Sequence, residues 1–539
     1  MIESILIQTP SKSFNCNINT FQNQKMVLDI SQLNLIEEHS FDIKITFEMD
    51  IVEFRNHDYK WVNCKEDRIA GEYSPKIIKL KNNFLVQANI NAGIWEFNVS
   101  NPKVLLWRFN PENAHPYTVY KGRENQKIIH QATQKIVFTE NPALLFTTQN
   151  TVEFSRSLYP YTAIACFTDH CDFDTSENLK KQREFFATNA IKVTKGFFLN
   201  HFSKRENNPS YQNDAAELAF WRNDGHELAY HSLSQSIKSE KESREDFINF
   251  KPPFQAIPTW IDHGFQPYNH SLYQNFSISD KEYAENLKSK NITTLWNYID
   301  SGTATEGVIN QLNPNDFTLN QFNKGNKNLG FVARISQMIK NIIFHYYADE
   351  KIILKYKLTA TNIKKIVYQK KLNYIFDLII NFIGLCIPIL KVFIFWKATK
   401  NLPFKLAKYT PIIFKHKVEN TDFYIFQTIE MVDFKKSLNS KNINKLITEK
   451  GVFIAHTYFS VPMNYHIGKL FKTPLVIDEE VANNFKNLGQ KIKNQEIWNP
   501  TLNELIVYWQ SFEKTILDID SSGKIIVIEK SNLTFRSVN

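Results

Sequence analysis

Up to about residue 155 the apolar positions come in short alternating runs. Ile43-Lys44-Ile45-Thr46-Phe47 and Val104-Leu105-Leu106-Trp107 are the clearest, and Asn, Pro and Gly break the pattern between such runs. Alternation with period two between turn formers predicts half-buried strands. Their spacing points to a β-sandwich-like module over residues 1–155. Trp61, Trp95 and Trp107 read as its core and edge aromatics, with a sugar-binding face as the alternative. From residue 156 the pattern changes. Ala163-Ile164-Ala165-Cys166-Phe167 is apolar throughout and runs into acids. Residues 180–187 and 215–221 carry a helical pattern, and 191–198 reads as a strand. Ala256 to Trp260 and Thr293 to Trp296 are again short apolar runs ending in polar residues. Strands alternating with helices predict a parallel α/β architecture over 156–330 and again over 411–515. Polar residues at the ends of several strands are what a barrel active site looks like in sequence. A β-hairpin is expected over 516–539.

Residues 331–410 interrupt this alternation. Arg334 to Tyr347 is amphipathic, Lys351 to Lys371 mixes lysines with Ile, Leu, Tyr and Val, and Leu378 to Leu390 has no charge. An uncharged run of that length is short of the ~20 residues of an ordinary membrane span. A basic amphipathic helical insertion that contacts an anionic membrane surface is expected. A buried helical hairpin with solvated basic faces is the other reading.

Composition sharpens the picture at three points. The 539 residues are 43% hydrophobic, enough for a large core in two to four domains. The five cysteines, Cys16, Cys64, Cys166, Cys171 and Cys386, form no C-x-x-C pair, which speaks against a disulfide framework or a structural zinc knot. No basic stretch followed by an apolar one opens the chain, so no signal peptide is expected and a cytoplasmic location is. The net charge of +9 is local: residues 331–410 hold 14 Lys/Arg against three acids, and everything else together comes to −2. A confined basic segment implies a partner. Its apolar run favours lipid over nucleic acid.

Candidate chemistry sits where apolar runs end. Thr168-Asp169-His170-Cys171-Asp172-Phe173-Asp174, Gly225-His226-Glu227 with His231, Trp260-Ile261-Asp262-His263-Gly264, Leu295 to Asp300, and Ala455-His456-Thr457-Tyr458 follow one another along the chain. A carboxylate with imidazoles can hold a divalent ion such as zinc with one position open. A second carboxylate can take a proton from water, and a separate imidazole can protonate a leaving group. Trp260, Trp296 and Tyr298 are candidates to stack on a sugar, and Arg222 to neutralise a carboxylate or phosphate.

In this order the segments resemble the motifs of the polysaccharide deacetylases, the NodB-like carbohydrate esterases. Phe167 to Asp172 is similar to their first motif, and Gly225-His226-Glu227 through His231 to Gln235 resembles their second. The resemblance implies a distorted (β/α) barrel and removal of an acetyl group from a glycan or lipid-linked sugar at the inner face of the membrane. It implies Asp172 and His231 as metal ligands, Asp169 as base and His456 as acid. Gln235 stands where that family has a second histidine. Three outcomes stay open: a weaker Asp/His/water site, replacement by His263 (preferred) or His226, or loss of the metal. The respaced first motif also leaves Asp174 as a possible ligand with Asp172 as base. A catalytically degenerate glycan-binding or scaffold protein is the alternative function.

Overall fold

The structure is a computed structural model, and it describes residues 1–16, 21–22, 24–33, 39–121, 126–131, 136–138, 140–460, 469–528 and 532–539. The N-terminal region forms two antiparallel sheets. In Phe41–Phe47 burial alternates strictly: Phe41, Ile43, Ile45 and Phe47 point inward and the residues between them stay partly exposed. That strand pairs with Ile2–Gln8 on one side and Val104–Phe109 on the other. The second sheet stacks Ala143–Thr147, Leu85–Ala88, Ile77–Leu80 and Ile51–Arg55. One apolar core joins residues of both sheets, among them Ile45, Phe54, Val86 and Phe146. Trp95 and Trp107 meet edge to face within it, at 5.8 Å between ring centroids. Trp61 lies apart from them, its indole donating to the Asn539 carbonyl. The three tryptophans therefore share no face on which a sugar could stack.

The second region is mixed α/β around a curled sheet. The strands of its main path are β1 (Ala163–Asp169), β2 (Thr194–Phe197), β3 (Glu227–His231), β4 (Thr259–Ile261), β5 (Thr294–Trp296), β6 (Asp300–Thr303), β7 (Ile413–Val418), β8 (Thr421–Phe426), β9 (Thr428–Glu430) and β10 (Val452–Thr457), and the short strand Ile497–Trp498 joins off this path beside β1. The spatial order is β6-β9-β10-β1-β2-β3-β4-β5-β8-β7, and every pairing is parallel except the β7–β8 hairpin. All seven residues of β1 are buried, as expected for a parallel strand covered on both faces. Two segments appear at both ends of the order. Residues 294–303 supply β5 and β6, 421–430 supply β8 and β9, and β5 pairs with β8 as β6 pairs with β9. The break in the first segment falls at Tyr298, whose φ is +64°.

Helices α1 (Ser176–Thr188), α2 (Tyr211–Asn223), α3 (Glu240–Asn249) and α4 (Asp280–Ser289) alternate with β1 to β5. Their starts are set by side chains that accept from otherwise orphaned backbone N–H groups: Thr175, Ser210, Ser239 and Ser279 each cap one. The insertion adds α5 (Phe331–Asn341), α6 (Glu350–Gln369) and α7 (Ile375–Ile394). The apolar helix is longer than the uncharged run, because the bounding charges Asp377 and Lys391 both lie inside it, and it tolerates Pro388. At the other end of the chain, Leu517–Ile519 and Ile525–Val527 form a hairpin, and Phe535–Val538 pairs with Thr151–Phe154 of the N-terminal region.

Candidate metal centre at the rim of the curled sheet

The parallel strands point one way, so residues just past their C-terminal ends gather on one rim. His170 follows β1, and the short turn Cys171–Phe173 carries Asp172. His231 ends β3, His263 follows β4 by two residues, and β10 brings His456. Gly196 on β2 lets this rim draw together: a Cβ there would stand 2.5 Å from the Asp169 carbonyl oxygen.

Asp172 is the centre of the cup. Its Oδ2 lies 2.9 Å from His231 Nε2, and its Oδ1 lies 3.3 Å from His263 Nε2. The rings of His231 and His263 stack at 4.7 Å. His170 sits 4.7 Å from the His231 ring and stacks on His456 at 4.2 Å. One ligand atom from each of His170, Asp172 and His231 fits within 4.8 Å of the other two. Burial pushes the Asp172 carboxyl upward, but His263, His231 and the hydrogen bond from His231 outweigh it and hold it far below the usual carboxylate range. Burial lowers His263 to about 4 against the pull of Asp172, and lowers His170 well below the ordinary imidazole value. The Nε2 atoms of His170 and His456 are buried without a hydrogen-bond partner among the described residues.

Asp300 accepts from Thr428 Oγ1 at 2.6 Å and stands 3.3 Å from His456 Nδ1. Burial raises its carboxyl, and His456 and Thr428 more than reverse this. A cavity of about 340 Å³ opens beside it, lined among others by Lys127, Thr303, Lys340, His345 and Glu430. That volume lies within the range of small-molecule sites. Sequence reasoning had no role for Lys127, His345 or Glu430, which come from three segments far apart in the chain.

Other expected residues sit elsewhere. Asp169 and Asp174 both ion-pair with Lys195 of β2, and all three side chains are fully buried. Lys195 is raised in return, and Gln182 adds hydrogen bonds to Lys195 and Asp174. Gln235 turns its amide to the backbone, donating to the Asp172 carbonyl at 2.8 Å. His226 lies at the opposite end of β3 from His231, where its Nδ1 accepts from the Val193 N–H and its ring lies 4.6 Å from Trp221. Asp262 accepts from the backbone of His270 and Ser271 and from the Trp260 indole, and burial raises it to about 6. That hydrogen bond fixes Trp260 in the core, away from the cup. Arg222 is exposed on the far side, bonded to the Gln255 carbonyl. Trp296 is buried but turns a ring edge to His170. Tyr298 and Tyr458 flank the cup, Tyr298 5.0 Å from Trp296 and Tyr458 5.2 Å from His170.

No protein-family model matches the chain, and no curated protein matches it. Among solved structures it is similar to a GH31 dextranase of Flavobacterium johnsoniae complexed with glucose, at 8% identity and a TM-score of 0.28, over 91% of this chain and 61% of that one. A point mutant of the same dextranase complexed with isomaltotriose gives 7% and 0.28, over 96% and 66%. A xylosidase of Aspergillus niger gives 10% and 0.19, over 56% and 42%. The chain thus spans about three fifths of the length of the dextranase. At these TM-scores the likeness assigns no activity to it. The polysaccharide-deacetylase resemblance is corrected by these comparisons, since the solved structures found are glycoside hydrolases and no family model matches. The expected acetyl-removing activity falls with it. The physical reason is visible in the site. The order of motifs is what any parallel sheet with polar strand ends displays, Gln235 faces backbone rather than an ion position, and His226 and Glu227 lie at the wrong end of β3.

Proposed function

We propose that the chain is a metal-assisted hydrolase acting on a carbohydrate, with the cup around Asp172 as its centre. One observation carries the reading. His231 Nδ1 faces the Ile261 carbonyl at 3.3 Å, and its Nε2 faces Asp172 at 2.9 Å. Both ring nitrogens of His231 thus have an oxygen in reach, and a ring with a single N–H can serve only one of them, so a cation bound in the cup would satisfy the nitrogen and the Asp172 carboxylate that are left. His170, Asp172 and His231, with His263 alongside, are the donor set for that ion, and nitrogen and carboxylate donors suit zinc. Such an ion, when bound, supplies Lewis acidity and water activation at neutral pH.

The chain's own residues do the rest. Asp300 accepts from His456 Nδ1–H and so leaves Nε2 as the face that exchanges a proton with a leaving oxygen. Trp296 and His170 both pack against that imidazole, and against each other. The cavity beside Asp300 mixes carboxylates, lysines, a hydroxyl and aromatic rings, a lining that suits a polyhydroxylated ligand. In this reading the curled sheet is a distorted (β/α) barrel, closed through residues 294–303 and 421–430, and residues 331–410 set it against a membrane surface.

The test is metal analysis joined to reducing-end release from a panel of soluble glucans and xylans, after reconstitution with zinc. Asp172→Asn is expected to lose the ion and at least about 100-fold in rate, in line with removal of a metal ligand. His456→Ala is expected to keep the ion and lose the rate. A wild-type protein that retains no ion and releases no reducing ends would sink the reading.

A further inference from the structure

Helix α7 carries an apolar stripe that no part of the described chain covers. Phe376, Ile380, Ile383, Ile387, Leu390 and Ile394 recur at intervals of four and three, so at about 100° per residue they fall within about 40° of one line along the helix. Their exposure runs from 53% to 75%. The opposite side, Leu385, Ile389 and Val392, is buried and joins the main core, with α6 packed beside α7. The packing that holds the helix in place therefore leaves its other apolar face in solvent. Exposed apolar surface of this extent marks an interaction site. It continues onto α5, where Phe331 and Val332 are 78% and 79% exposed and a groove of about 390 Å³ runs between Phe331 and Trp396.

Charge decides the partner. Lys370 and Lys371 precede the helix, Lys391 flanks the stripe, and Lys397 and Lys400 follow it, within a segment of +11. Lysines bracketing an apolar face match anionic headgroups over acyl chains. Crossing is another matter. The apolar stretch Leu372–Ile394 has 23 residues, with a mean hydropathy of 2.1 over its most apolar 18, long enough to span. But α6 lies along α7 and carries Lys351, Lys355, Lys357, Lys364 and Lys365, which cannot follow it into hydrocarbon.

We propose that α7 docks lengthwise in the interfacial zone of an anionic bilayer, with the stripe from Phe376 to Ile394 among the acyl chains and the flanking lysines at the headgroups. The proposal rests on the membrane placement in the proposed function and is independent of the hydrolytic chemistry.

The experiment uses the full chain and vesicles of phosphatidylglycerol with phosphatidylcholine, against phosphatidylcholine alone. Cys386 lies on α7 and is the one cysteine of the five that is not buried, so an environment-sensitive maleimide reports from the helix itself. Co-sedimentation with the anionic vesicles only, with a blue shift of the label, is expected. The double variant Ile380→Glu/Ile387→Glu should lower the bound fraction at least tenfold. Lys370→Glu/Lys371→Glu should weaken binding and flatten its salt dependence. Both should hydrolyse a soluble glycan as the wild type does, so loss of binding with hydrolysis retained in the variants supports docking. Wild-type protein that stays in the supernatant overturns the proposal, as does a double variant that binds undiminished. A label already blue-shifted without vesicles, in a protein that elutes as a dimer, assigns the stripe to a second copy instead. Absence of hydrolysis in every protein, with vesicle binding intact, would count against the hydrolase and leave the docking standing.

Discussion

Asp169 and Asp172 lie three residues apart, and the fold gives them opposite surroundings. Asp169 shares Lys195 with Asp174 in a fully buried cluster, fixed further by the Phe459 N–H at 3.1 Å. The Asp172 carboxylate contacts the imidazoles of His231 and His263 and keeps 15% of its side chain exposed. A lysine is a permanent cation that closes its cluster. Imidazoles carry charge on condition, so a carboxylate among them stays open to a metal ion whenever the rings are neutral. The same residue type, drawn from one turn, thus serves cohesion on one side and chemistry on the other.

The largest break in this comparison comes from Lys195→Met. It leaves Asp169 and Asp174 buried without a counter-charge, and removing one partner of a buried ion pair costs about 3–5 kcal/mol. Urea unfolding should show that loss. Asp172→Asn in metal-free protein should cost less than Lys195→Met by the same measurement, because its imidazole partners can give up their protons when the carboxylate is gone while a buried carboxylate pair keeps no counter-charge, and it should abolish ion binding. Equal destabilisation by the two variants would erase the distinction between a cohesive and a functional carboxylate.

The next effect is pH dependence. His263 is held neutral, with its value lowered to about 4 by burial. A depressed folded-state value means the unfolded chain binds the proton first as pH falls. The stability contributed is present above about pH 6.5 and is lost as pH falls toward 4, to the extent of about 1–3 kcal/mol in all. Lys195 is raised, so its cluster keeps its cation throughout that window. Unfolding followed between about pH 7.5 and 4.5 should show a shallower acid loss for His263→Asn than for the wild type. Ion affinity should fall over the same window, because ligand imidazoles must be deprotonated. Parallel pH profiles for wild type and variant would mean that His263 does not stay neutral in the fold.

Asp172, His231 and His263 were legible in sequence because each ends an apolar run, and strand ends of a parallel sheet share a rim. Lys195 was not. It sits inside the run Ile191 to Phe198, and only the pairing of β2 beside β1 brings it to Asp169. His226 was misplaced because a contiguous motif hides geometry. Glu227 to His231 is one extended strand, and at about 3.3 Å per residue its two ends lie on opposite edges of the sheet. Instead of joining the cup, Glu227 accepts from Thr259 Oγ1 at 2.6 Å and the Asn503 N–H at 2.9 Å. The apolar helix of 331–410 was legible in composition. Its exposed stripe was not, because period alone cannot say which face a neighbour covers.

The smallest effect belongs to Gln235. Its Nε2 donates to the Asp172 carbonyl, and its Oε1 accepts from Ser203 Oγ at 3.1 Å. Arg205 donates to the same carbonyl. Gln235 therefore positions the turn that carries Asp172 and does not itself face the ion position. Residues that orient a ligand are worth about 10–100-fold in ion affinity, and with Arg205 sharing the task the lower figure applies. Gln235→Ala should weaken zinc binding by about tenfold while leaving the number of bound ions unchanged, read by competition with a chelating dye. Gln235→Glu would place a carboxylate against the Asp172 carbonyl and should weaken binding more than alanine does. If glutamate binds zinc more tightly than glutamine, position 235 reaches the ion, and the boundary between the closed and the open carboxylate cluster has been drawn one residue too narrowly.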